Sequence, residues 1–171
     1  MPKARFLMFT DKSYFPKSGR ALDVGCHEGR ESKELLARGF EVDAVDLKVV
    51  PGINNPKFHF QQANVKDFEI KKDTYDIVLA YYVLPFLKTK ELVQKSIYDI
   101  RNGLNDKGIA IITLFGDKHE WKGKTAHLFL SEEEAKKMIG PYVDIHEVKE
   151  TRKTMEGSEA FWHSWDFVIQ K

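Results

Sequence analysis

Two glycines four residues apart, Gly25 and Gly29, follow the apolar run Ala21-Leu22-Asp23-Val24. Glycine lets the backbone approach a ligand closely and turn sharply into a following helix. Two carboxylates accompany them: Asp23, two residues before the first glycine, and Asp46, at the end of the next apolar run. A carboxylate at the tip of a second strand can accept hydrogen bonds from both hydroxyls of a ribose. One near the tip of the first strand is a poor neighbour for a pyrophosphate and suits a ligand with an ammonium or sulfonium group. Two phosphate-binding fingerprints fail. G-x-G-x-x-G would need glycine at 25, 27 and 30, where the chain has Gly25, His27 and Arg30. No G-x-x-x-x-G-K-[ST] is present. Cys26, inside the loop, reads as a small packing residue rather than a nucleophile.

The elements that must hold these residues follow from hydrophobic patterning. Short apolar runs alternate with helical patterns, which predicts an α/β domain with a parallel sheet. Strands are expected over 21–24, 41–45, 57–62, 75–80 and 109–115. Helices are expected over 30–38, closed by Gly39, and over 88–104, where Leu92, Val93, Ile97, Ile100 and Leu104 recur near a period of 3.6. Ser131 with Glu134 three residues on predicts a capped helix ending near Gly140-Pro141. Two strands, 142–151 and 161–170, then flank the turn Met155-Glu156-Gly157-Ser158. They are too close in sequence for a parallel crossover, so they must pair antiparallel. Pro51, Gly52, Asn54, Asn55 and Pro56 argue against a helix between the second and third strands.

Composition sets the outer bounds. The chain has 171 residues with 27 Lys+Arg and 26 Asp+Glu, a formal charge of +1. That balance speaks against a nucleic-acid coat and against an acidic tail. A folded chain of this size buries roughly 70% of its unfolded surface and needs no staples. One cysteine excludes an internal disulfide and fits a reducing compartment. No apolar run approaches the ~18–20 residues of a membrane span, and 1–6 lack a signal peptide's apolar stretch. A cytoplasmic location is expected by elimination. The six histidines are scattered, with no zinc-site spacing, so no metal is expected.

The run Leu22-Asp23-Val24-Gly25-Cys26-His27-Glu28-Gly29-Arg30 resembles motif I of class I S-adenosylmethionine-dependent methyltransferases, (D/E)-x-G-x-G-x-G. Glu41-Val42-Asp43-Ala44-Val45-Asp46 is similar to the family's second strand with its ribose-binding acid. Ala63-Asn64-Val65-Lys66-Asp67-Phe68 resembles its adenine-binding segment, Tyr75-Asp76-Ile77-Val78-Leu79-Ala80 its fourth strand, and Leu104-Asn105-Asp106-Lys107-Gly108 the turn before the fifth. The resemblance covers about residue 20 to 171. It implies a Rossmann-like, seven-stranded, mostly parallel sheet with a C-terminal antiparallel hairpin and helices on both faces. The methyltransferase domain would span 20–171, with 1–19 a short segment forming at most a partial lid through Phe6, Phe9, Tyr14 and Phe15. The implied cofactor is S-adenosyl-L-methionine. Gly25, Cys26 and Gly29 would shape its methionine end, and Asp23 would contact the amino acid portion. Asp46 would hold the ribose and Asn64 with Val65 the adenine, with Leu47 and, on the adenine side, Tyr81 as further cofactor-binding residues. Val83-Leu84-Pro85-Phe86-Leu87 and the chain's size look most like TehB-type small-molecule methyltransferases.

Methyl transfer needs the acceptor held opposite sulfur, and a base only where the acceptor carries a proton to remove. Substrate would enter beyond the fourth and fifth strands, where His119 and His163 are the histidines placed to act as a base. Trp162 and Trp165 read as core residues of the hairpin. No (N/D)-P-P-(Y/F) run follows the fourth strand, and the lysines are interspersed with acids. Both features favour a small-molecule acceptor over nucleic acid. A monomer or a homodimer is expected. The imidazole of His27, at the motif's middle glycine, either crowds the methionine end or points to solvent. It motivates an alternative reading, a catalytically weak or inactive cofactor-binding module. A nucleotide-dependent oxidoreductase is disfavoured by the failed fingerprint.

Overall fold

The computed structural model describes residues 3–48, 50–154 and 157–171. Eight strands form in chain order: β1 (Arg20–Val24), β2 (Glu41–Asp46), β3 (Phe58–Gln62), β4 (Tyr75–Ala80), β5 (Leu104–Gly116), β6 (Phe129–Leu130), β7 (Asp144–Lys153) and β8 (Glu159–Gln170). Among the described residues three α-helices accompany them: α1 (Arg30–Ala37), α2 (Lys90–Gly103) and α3 (Glu132–Ile139). The sheet runs β3-β2-β1-β4-β5-β8-β7, with β6 beside the end of β5. The first five strands are parallel, and β8 lies antiparallel between β5 and β7.

Strands buried on both faces must be apolar throughout, which is why β1, β4 and β5 read as continuous hydrophobic runs. On one face, Val93, Ile97 and Ile100 of α2 and Ala135 and Ile139 of α3 pack against Leu22, Val78, Ala110, Ile112 and Phe167. On the other, Leu35 of α1 packs against Ala21, Ile77, Leu79, Ile109 and Ile111. The capping box at Ser131 forms as the sequence predicts, and the Thr89 hydroxyl caps α2 by accepting the Leu92 N–H. Among the described residues no helix joins β2 to β3. Nor is any described helix long and apolar enough to cross a membrane.

The seven expected strands form the main path of the sheet, and the two-residue β6 adds to them because Phe129 stacks on Phe115 of β5 at 5.7 Å. β5 begins at Leu104, five residues earlier than expected. The expected turn persists inside it as a register shift against Tyr75–Ile77, with Lys107 at φ 64°. Of the turn expected at 155–158, Met155 and Glu156 lie outside the described residues. Around it, the Thr154 N–H donates to the Ser158 carbonyl at 2.7 Å.

The segment before β1 is bound into the molecule. Phe6, Phe9 and Phe15 are buried in the α1-side core, Phe6 and Phe15 stacked at 5.8 Å, while the Tyr14 hydroxyl donates to Asp144 at 2.7 Å. Just before the first of these aromatic residues, the backbone N–H of Arg5 donates to the Glu31 carboxylate of α1 at 3.1 Å. The Arg5 guanidinium donates to Asp166 of β8 at 3.2 Å, and Asp166, wholly buried, also accepts the Thr113 hydroxyl of β5 at 2.5 Å. Since Phe6 is fully enclosed, Phe6→Ala is expected to lower unfolding free energy by about 3–4 kcal/mol, the usual cost of emptying a buried aromatic site. Urea titration at unchanged m-value measures this; a loss under about 1 kcal/mol would mean the segment is not core.

Candidate active site

The loop between β1 and α1 alternates into the left-handed region, with φ of 73°, 48° and 75° at Gly25, His27 and Gly29. Space adds to this constraint. A Cβ at Gly25 would lie 2.8 Å from the Val83 side chain, and one at Gly29 would lie 2.7 Å from Ile53 and 3.0 Å from Pro51. His27 holds the same backbone conformation as the glycines, at a modest strain that histidine tolerates better than most residues. Its side chain is exposed.

Asp46, at the tip of β2, ties this loop down. Its carboxylate accepts the backbone N–H of His27 and of Lys48, each at 2.9 Å. Its own carbonyl accepts the Ala63 N–H at 3.0 Å, which brings Asn64 and Val65 alongside. Asn64 caps the short 3-10 turn Val65–Asp67, its side-chain oxygen accepting the Lys66 N–H at 3.1 Å. Leu47 is half exposed beside them. Gly25, Gly29, Asp46, Leu47, Asn64 and Val65 therefore lie together at the carboxyl ends of β1, β2 and β3.

Asp23 is set deeper. It is buried and accepts the Ser32 hydroxyl of α1 at 2.6 Å. Burial pushes its carboxyl up to about 7, against the pull of the Ser32 hydrogen bond. Cys26 is buried too; desolvation, with Asp23 and Asp46 nearby, raises its thiol, which stays protonated and inert.

Beyond β4 and β5 the chain gathers a second group. Tyr82 has φ 54°, an outlier for a bulky side chain, and is held there by its neighbours. The Arg5 guanidinium lies 4.6 Å from its ring centroid and the Arg152 guanidinium 5.0 Å, and Arg152 also donates to its hydroxyl at 2.7 Å. Trp162 meets it edge-on at 5.4 Å. Tyr81 is raised far above an ordinary phenol, by burial first, so it stays a neutral hydroxyl.

The two histidines considered as bases occupy different situations. The ring of His163 is enclosed and both nitrogens are engaged. Nδ1 accepts the Lys118 N–H at 3.1 Å, so the neutral ring carries its proton on Nε2, 3.0 Å from Glu147 of β7. That ring ties strands together. The Nδ1 of His119 accepts the Trp121 N–H at 3.2 Å, leaving its Nε2–H as a donor that is buried without a partner. Burial lowers this imidazole to about 4, so it is neutral at pH 7 and presents a hydrogen, not a lone pair. Trp165 is core, as the hairpin pattern predicts. Trp162 instead stands in the aromatic group, 4.9 Å from His119, with its indole N–H unpartnered.

Arg5 and Arg152 escaped sequence reasoning because they are 147 residues apart and neither lies in a motif. A signal did exist at Arg5, a lone charge between Ala4 and Phe6 in an aromatic-rich segment. At Arg152 only the hairpin register, Arg152 opposite Ala160, brings it beside Trp162.

Comparison with known proteins agrees with this geometry. The family model described as methyltransferase domain matches residues 3–153. A curated relative, the ubiquinone biosynthesis O-methyltransferase of Rickettsia akari, is 30% identical over 100 residues, 54% of this chain; the match spans only 38% of that relative's length. Among solved structures, a S-adenosylmethionine-dependent methyltransferase of Methanosarcina mazei superposes with TM-score 0.73 at 15% identity, covering 99% of both chains. The 1,6-didemethyltoxoflavin-N1-methyltransferase of Burkholderia thailandensis gives TM-score 0.67 at 17% identity, over 96% of this chain and 80% of that one. At such identities the solved structures share the fold. With the family match running through the loop and the sheet from β1 to β7, the chain belongs to the methyltransferase-domain family, of the class I, S-adenosylmethionine-dependent type.

Proposed function

We infer that this protein transfers a methyl group from S-adenosyl-L-methionine to a small-molecule acceptor. The observation that carries the reading is the Gly25–Gly29 loop, left-handed at three alternate positions and pinned to Asp46 at the tip of β2. The residues present fit the cofactor. The glycine loop bounds its methionine end, Asp46 receives the ribose, Leu47 and Val65 offer apolar surface to the adenine, and Asn64 meets its polar edge. Asp23 lies behind the loop, where a buried carboxyl attracts the cofactor's cationic end directly or through water.

When bound, S-adenosylmethionine supplies a methyl group activated by a positively charged sulfur. The chain's own residues contribute position and a dry enclosure. Tyr81 and Tyr82 carry the wall from the cofactor loop across to β8, and Phe115, Trp121 and Trp162 continue it. Neither His119 nor His163 offers a free basic nitrogen, so neither takes a proton from the acceptor. The acceptor atom then reacts through a lone pair it already has, or leaves its proton to water. The segment 3–19, through Arg5, forms part of the wall.

Calorimetric titration with S-adenosylmethionine is expected to show binding to the wild type. Asp46→Ala should weaken it by about 2 kcal/mol, roughly thirtyfold, the worth of hydrogen bonds to a charged acceptor. Unchanged affinity in that variant would remove the ribose assignment.

Asp23 makes a separate forecast. A carboxyl holding its proton up to about 7 must lose it more readily once a cation settles nearby, so binding releases protons below that pH and ceases to do so well above it. At about pH 6 the binding heat should therefore depend on the buffer's ionisation enthalpy, and Asp23→Asn should abolish that dependence. Buffer-independent heats in the wild type would place Asp23 outside the cofactor's reach.

A further inference from the structure

Among the described residues, five buried side-chain polar atoms lack a hydrogen-bond partner: Arg5 Nε, Tyr81 Oη, His119 Nε2, Arg152 Nε and Trp162 Nε1. Buried polar groups are rarely left unpaired, and here all five fall on one connected group of side chains. Arg5 lies over Tyr81 at 5.6 Å and over Tyr82 at 4.6 Å, Arg152 over Tyr82 and, at 4.6 Å, over Trp162, and Trp162 touches His119. The group begins one residue from the cofactor loop, since Val83 is the side chain that a Cβ at Gly25 would strike.

We propose that this group is the acceptor site and that it selects a flat aromatic molecule bearing a carboxylate. The inference rests on the methyltransferase reading and names its substrate class. All five unpaired atoms can donate, because the Trp121 N–H fixes the proton of His119 on Nε2, and only the Tyr81 hydroxyl can also accept. A ligand that satisfies them must be rich in acceptor oxygens. The rings beside the donors are Trp162 with Phe115 and Trp121 against it, and an aromatic surround favours a planar body.

The charge count selects one negative charge. Arg5 is already matched by the enclosed Asp166 at 3.2 Å. Arg152 is matched by Glu150 at 2.7 Å, but that carboxylate is half exposed and its hold is weakened by water. One cation is thus left incompletely neutralised beside four neutral-group and arginine donors. A carboxylate monoanion answers this; a phosphate dianion would bring more charge than the site opposes. The oxyanion accepts from Arg152 and Trp162, and the remaining donors hold other oxygens of the ring.

The test is calorimetric titration of the protein saturated with S-adenosylhomocysteine, using benzoate, salicylate and 2-naphthoate as probes. Benzamide, 2-naphthamide and phenyl phosphate serve as comparison ligands. At least one carboxylate is expected to bind at least about tenfold more tightly than its amide and than phenyl phosphate. Arg152→Gln should erase the preference for carboxylate over amide, and Trp162→Phe, which keeps a ring but removes the N–H, should reduce it. S-adenosylhomocysteine affinity should stay within about twofold in both variants, which shows that they are folded. Amides binding as well as carboxylates, phenyl phosphate binding best, or a preference indifferent to Arg152 would each overturn the proposal, as would no carboxylate binding while the cofactor product binds. Failure of the wild type to bind S-adenosylhomocysteine would instead overturn the methyltransferase reading, and this inference with it.

Discussion

A carboxylate without solvent, on a strand between two others, needs hydrogen-bond and ion-pair partners for its oxygens. Asp166 of β8 is in that position, and Thr113 and Arg5 match it. The pairing reaches across 161 residues of sequence and draws the N-terminal segment over the α1 face of the sheet. Buried pairs of this kind are weak contributors to net stability, because desolvation offsets much of the attraction; what they fix is geometry. Here they fix Arg5 against the rings of Tyr81 and Tyr82. Ala4 before Arg5, and Phe6, Phe9 and Phe15 after it, supply the apolar burial that a lone ion pair does not.

The same arrangement explains a strained residue. Tyr82 adopts a left-handed backbone that an aromatic side chain ordinarily avoids. Two guanidinium groups over its ring and the edge of Trp162 hold it there. The turn that results carries the chain from Tyr81 at the tip of β4 to Val83 against Gly25. One short stretch thereby joins the aromatic group to the glycine loop.

Chemistry at this centre depends on placement more than on proton transfer. His163 is spent on joining β7, β8 and the loop after β5, and His119 is fixed by a backbone N–H in the tautomer that donates. Two histidines at the right end of the sheet are therefore a fastening and a donor. A methyl donor with a good leaving group needs little more than alignment and exclusion of water.

What could be read from residues alone was the local part: the positions of the strands along the chain up to β5, the glycine turn after β1, Asp46 at the end of β2 and the capped α3. Each is encoded within a few neighbours, by period, by a positive-φ requirement or by a side chain reaching its own backbone. The tertiary structure decided the rest. Whether His119 offers a lone pair or a hydrogen depends on a backbone N–H two residues away in a loop with no periodicity. The roles of Arg5 and Arg152 depend on the ends of the chain meeting over Tyr82. The sequence specifies which groups carry charge and donors, but a hydrogen bond is a matter of ångströms and angles. Between residues 5 and 152 only the closed sheet sets those.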